Sequence, residues 1–135
     1  MVKIHFWQEK DKGTIHMKVQ GHAGTAPKGA DLVCASATML VYTVAQAVTF
    51  MHEQGYMEER PRVKIREGKA VIVAKPKEEY AAEVLHTFWV AQCGAHVLAK
   101  NYPEAVHYAE NRPERRDVPA DAHDAAADAA DGPAG

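Results

Sequence analysis

Two runs of strict alternation constrain this chain more than any other feature. Val2, Ile4 and Phe6 alternate with Lys3, His5 and Trp7, and Ile15, Met17 and Val19 repeat the pattern over 14–20. A period of two sends all the apolar side chains of a strand to one face. The link between the runs, Glu9-Lys10-Asp11-Lys12-Gly13, is polar and ends in glycine, so an antiparallel hairpin with one face to cover is predicted. A second hairpin is predicted over 62–75, with strands 62–66 and 69–75 about Glu67-Gly68. Its run Ala70-Val71-Ile72-Val73-Ala74 is apolar on both faces, which suits an inner strand.

Helices should supply the cover. Between the hairpins, Val33, Ala37, Leu40, Val41, Val44, Val48 and Met51 recur at helical spacing, with Asp31 as a good N-cap and Gly55 as a good C′ residue. A second helix is predicted from about Lys77 to Lys100, with Ala81, Val84, Leu85, Phe88 and Ala95 as its core stripe, ended by Tyr102-Pro103. Trp89, Val90 and Val97 lie on its other sides and suggest a surface buried against another chain. Residues 105–110 would add a short edge strand. The expected fold is α+β in the order ββαββα(β), with two β-hairpins and two long helices packed on one small sheet.

The domain is expected to occupy residues 1–110. Residues 111–135 hold eight Ala, six Asp or Glu and no aromatic, a composition that cannot offset the entropy of ordering, so a disordered Ala/Asp-rich tail is predicted there. The chain is −2 overall and this tail is −3, which leaves the domain near +1. Such a balance lacks the strongly basic signature of a nucleic-acid or anionic-membrane binder, so direct nucleic-acid binding is not expected. No basic-apolar-small leader opens the sequence and no apolar run approaches the roughly 18 residues of a membrane span, so a soluble, cytoplasmic protein without a membrane partner is expected. Cys34 and Cys93 are too few for a disulfide framework and lack structural zinc spacing.

The chemistry is concentrated in Gly21-His22-Ala23-Gly24-Thr25-Ala26-Pro27-Lys28-Gly29-Ala30-Asp31-Leu32-Val33-Cys34. Three glycines and a proline make this a connection between strand and helix, where function collects on a rigid scaffold. With Asp31 as N-cap, Cys34 stands at N3 in the first helical turn, where free N–H groups favour a thiolate. A nearby imidazole would favour it further, and His22 at the end of the preceding strand is the candidate general base. Asp31, Cys34 and Thr38 share one helix face. A plainer reading uses the same residues: Cys34 as a small buried hydrophobe, Asp31 as a cap only and His22 as a turn residue.

The string GHAGTAPKGADLVCASATML resembles the signature of the ribosomal-processing cysteine proteases, the Prp family. The likeness extends to a hairpin before the motif, a hairpin and helix after it, and Tyr102-Pro103-Glu104, about 110 residues in all. It implies a homodimeric cysteine endopeptidase that removes the N-terminal extension of a large-subunit ribosomal protein after paired aromatic residues. His22 would be general base and Cys34 nucleophile, and Asp31 would orient the loop or the substrate beside Gly21, Gly24, Gly29 and Thr38. Thr38 stands where the family usually has Ser, which keeps the hydroxyl and adds a methyl. No cofactor and no metal are required.

Other readings compete. Gly21-His22-Ala23-Gly24 also fits the GxxG loop of an RNA-binding or ribosome-assembly module without catalysis, although that loop joins two helices and this one follows a strand. The same protease chemistry could also serve a phage structural protein. His5 and His16 would face each other on the polar side of the sheet as solvated residues. Cys93, three residues before His96, reads as a core residue.

Overall fold

The structure is a computed structural model and describes residues 1–22 and 28–110 of the 135-residue chain. The elements run β1 (Val2–Glu9), β2 (Thr14–Gln20), α1 (Lys28–Glu53), β3 (Arg62–Arg66), β4 (Lys69–Ala74), a 3-10 turn at Glu78–Tyr80, α2 (Ala81–Asn101) and β5 (Val106–Glu110). They form one five-stranded sheet in the order β3-β4-β2-β1-β5. This is the α+β architecture expected, with β4 as an inner strand and β5 at an edge, parallel to β1 with Val2 opposite Val106.

The alternation places the core. Ile4 and Phe6 of β1, Met17 of β2 and Ile72 of β4 point to the helical side, where Val33, Val44 and Val48 of α1 and Val84 and Phe88 of α2 meet them, each under 2% exposed. Burying a side chain of this size contributes about 1.5–3 kcal/mol. The helices leave β3 partly uncovered, and Val63 and Ile65 remain 37% exposed.

Three expectations need correction. First, α1 begins at Lys28, not after Asp31, because a capping residue is favoured at a helix start without being required there and Lys28-Gly29-Ala30 tolerate helical dihedrals at a modest cost for the glycine. Second, the buried stripe of α2 is Val84, Phe88, Ala91, Ala95 and Leu98. Leu85 and Cys93 both fall outside it and are exposed, since one residue along a helix is about 100° around it. Third, Leu32–Glu53 of α1 is long and apolar enough by composition to cross a membrane, with mean hydropathy 1.6. Interspersed Ser and Thr break its apolar run, and three hydroxyls, of Ser36, Thr43 and Thr49, donate to the carbonyl oxygens of Leu32, Met39 and Ala45. Its apolar stripe packs on the sheet through Val33, Ala37, Val41, Val44 and Val48.

Both helices also expose apolar side chains, notably Leu32, Met39, Tyr42 and Phe50 on α1 and Trp89 and Val90 on α2. Gly24 and the predicted tail, 111–135, lie outside the described residues.

Candidate active site

The connection from β2 to α1 starts at a crowded corner. Gly21 has φ +103°, and a β-carbon there would stand 2.2 Å from the carbonyl oxygen of Met1, so only glycine lets the strands meet this closely. Its N–H donates to the carbonyl oxygen of Gly68 at 2.9 Å, in the β3–β4 turn. The Met1 nitrogen donates to the carbonyl oxygen of His22 at 2.7 Å. The His22 backbone is thereby held from β1, while its side chain is exposed. The imidazole lies over the α-carbon of Gly68, where a β-carbon would come within 2.5 Å of Nε2.

Opposite stands the N-terminal half of α1. Val33 and Ala37 are buried in the core, and Cys34, one step around the helix from Val33, is half-buried at the margin. Cys34 is the seventh residue of α1, a full turn deeper than the sequence places it and beyond the free N–H groups of the first turn. Asp31 is the fourth residue of α1 and Gly29 the second, so Asp31 is not the N-cap.

Between these parts lies a cavity of about 430 Å³, within the range of ligand-binding clefts. Gly21, His22, Cys34 and Thr38 all line it. Twelve residues of sequence separation between imidazole and thiol are thus folded into one open space. Val19, Val41 and Ile65 give it apolar walls, and Arg66, Glu67 and Lys69 bring charge from the β3–β4 turn.

The sequence reading missed that turn and Tyr42 as walls. Gly68 has φ +75°, and a glycine in a two-residue hairpin turn is already explained by that dihedral, so nothing in the local pattern signals that it also makes room for an imidazole. The other candidate groups lie elsewhere. His5 and His16 are half-buried on the outer face of the sheet, each stacked on Trp7 and not simply solvated. His96 of α2 meets Tyr108 edge to face. Among the described residues no three His, Cys, Asp or Glu side chains gather as metal ligands would. Gly21 follows a strand, not the helix that a KH-type GxxG loop requires.

A thiol and an imidazole lining one open cleft are the minimum equipment for acyl transfer, in which sulfur attacks a carbonyl and the ring carries a proton. Comparison with known proteins bears on the fold and on the family. In fold, the chain is similar to the essential ribosomal-processing protease Prp from S. aureus in complex with a covalently linked product peptide, at TM-score 0.60 and 19% identity over 82% of this chain and 100% of that one. The same protease with a substrate peptide gives TM-score 0.55 and 17% identity over the same shares. SMU.848 from Streptococcus mutans gives TM-score 0.55 and 22% identity over 82% of this chain and 93% of that one. No curated protein sequence matches. The sequence pattern of the family described as cysteine protease Prp matches residues 1–107, which is most of the chain and the whole of the sheet but the end of β5, and the chain therefore belongs to the Prp family of cysteine proteases.

Proposed function

We propose that the chain is a cysteine endopeptidase that removes the N-terminal extension of a large-subunit ribosomal protein by means of a Cys34–His22 dyad. The observation that carries this reading is the shared cavity, which His22 enters from the end of β2 and Cys34 from α1. His22 takes the thiol proton as Cys34 Sγ attacks the scissile carbonyl, then returns it to the departing amine; a water molecule, deprotonated by the same ring, hydrolyses the thioester. Thr38, one turn beyond Cys34, offers a hydroxyl to the substrate backbone, and Gly29 and Asp31 in the first turn of α1, with Gly24 before it in sequence, orient an extended peptide. The enzyme works in the cytoplasm as a homodimer, for which the exposed Tyr42, Phe50, Trp89 and Val90 supply apolar surface.

The test is cleavage of a peptide with paired Phe before a small residue, followed by mass spectrometry. Cys34→Ala and Cys34→Ser should fold and lose turnover by orders of magnitude. Full activity of Cys34→Ala refutes the nucleophile, whereas inactivity of the unsubstituted chain refutes the substrate.

A further inference from the structure

The side of the sheet away from the helices is open, and the strand register sorts its side chains into rows. Arg66 lies opposite Lys69, Lys69 opposite Gln20, and Gln20 opposite Lys3. The next row runs Lys64, Val71, Lys18 and His5, and the third runs Arg62, Val73, His16 and Trp7. Six cations (Lys3, Lys18, Arg62, Lys64, Arg66 and Lys69) thus stand on this face against one strand carboxylate, Glu9. Glu9 is already engaged by Lys12 at 3.2 Å and approached by His16 at 3.5 Å. Among the described residues, none of the six cations has a carboxylate within ion-pair distance.

Arg66 and Lys69 are direct cross-strand neighbours of like charge, an arrangement that costs stability unless an anion lies over it. Overall charge conceals this because several carboxylates sit elsewhere, Glu53 on α1 and Glu78, Glu79 and Glu83 at the start of α2, while Glu59, which lines a cleft with His16 and Arg62, and Glu67, beside Arg66 and Lys69, border the face at the two ends of β3. Beside the cations is a ladder of rings. Trp7 stacks on His16 at 4.6 Å and 12°, and on His5 at 4.7 Å and 29°.

We propose that this open face binds single-stranded RNA. Four adjacent strands carry the cations across about 14 Å at the usual spacing, enough to follow a phosphate backbone. The ring ladder beside them offers unpaired bases a stack to extend. An acidic peptide would use the charge and leave the rings idle, and a duplex would hide its bases from them. The choice of RNA over DNA rests on the proposed ribosomal substrate; the binding surface itself does not, since Lys3, Lys18, Lys64 and the rings lie across the sheet from α1 and Cys34, and the face meets their cavity only at Arg66 and Lys69, at its β3–β4 end.

The experiment is fluorescence anisotropy of the full chain with a labelled uridine 12-mer, a deoxyuridine 12-mer, an RNA hairpin and an oligoglutamate, each titrated at several salt concentrations. The uridine oligomer should bind most tightly, with affinity falling linearly in log salt. Lys18→Glu with Lys64→Glu should weaken it at least tenfold, and neutralising one cation should reduce the slope by about 0.7. Trp7→Leu should weaken RNA binding and leave binding of the oligoglutamate unchanged. Both lysine positions are outside the core, so circular dichroism and peptide cleavage should be unaltered in that variant, which keeps this result separate from failure of the protease reading. Absence of RNA binding at 50 mM salt, tighter binding of DNA, duplex or oligoglutamate, or an RNA affinity indifferent to both variants would overturn the proposal.

Discussion

Each hairpin of this fold feeds a helix, and the two connections are built in opposite ways. The passage from β4 to α2 is sealed. Met57 is buried and bridges Pro76, the N–H of Glu58 donates to the carbonyl oxygen of Lys75 at 2.8 Å, that of Lys77 to Tyr56 at 2.9 Å, and the Tyr56 and Tyr80 rings stack at 4.2 Å and 5°. The passage from β2 to α1 is anchored at its start, where Gly21 and His22 are tied to Gly68 and Met1, and it presents an exposed imidazole to a cavity. The same topological task is done once for stability alone and once with a chemical group placed at the margin. Backbone hydrogen bonds fix where His22 starts, and a glycine opposite leaves its ring room.

The contrast breaks most visibly on His22→Ala. An exposed ring contributes little to folding, so the melting temperature should stay within a few degrees while kcat/KM on the peptide substrate falls about 10²–10⁴-fold, as expected for loss of a general base. Retained activity would remove His22 from the mechanism. Gly68→Ala attacks the same ring from beneath. A β-carbon 2.5 Å from Nε2 forces the imidazole to move, and φ +75° is strained for alanine. A stability loss of about 1 kcal/mol should accompany a tenfold or greater fall in turnover. If turnover falls only as far as the folded fraction does, Gly68 is a turn residue and nothing more.

Tyr80→Leu probes the sealed connection. Removing the ring from its stack on Tyr56 should cost about 0.5–1.5 kcal/mol beyond lost area, read by denaturant midpoint, and leave kcat/KM unchanged. Altered kinetics would show that the two connections are coupled, against the division of labour drawn above.

These differences bear on what could be read in the chain beforehand. The period-two runs at 2–8 and 14–20 determine which side chains face the core, because one face of a sheet must be buried, and the helix-period run from Val33 to Met51 does the same for α1. His22 and Cys34 were legible from their motif, and both line the cavity. The start of α1 was not, since an Asp is favoured both at the N-cap and within the first turn, where the helix dipole attracts a carboxylate. Gly68 and Tyr42 were invisible as cavity walls because contacts between a turn and a helix far apart in sequence leave no periodic trace. Segregation of charge on the open face was hidden for a related reason. A net charge sums over faces, and only the register of β1, β2, β3 and β4 assigns each lysine to one side.

The smallest expected effect concerns pH and the outer face. His16 is pushed below the usual imidazole range, first by burial beneath its neighbours, with Lys12 and Arg62 adding repulsion and Glu9 opposing. The folded chain therefore holds this proton less firmly than the unfolded one, and the unfolded state binds more protons as pH drops through about 6.5. Stability from this group is intact above that pH and declines as the solution is acidified toward the depressed folded value. His16→Phe keeps a ring against Trp7 and cannot protonate. The melting temperature of the unsubstituted chain should accordingly fall more between pH 7.5 and pH 5 than that of the variant, by no more than about 3 °C because the ring is still partly solvated. An equal fall in both would mean that the His16 proton is held as firmly in the folded chain as in the unfolded one, and that the stack with Trp7 does not disfavour the charged ring.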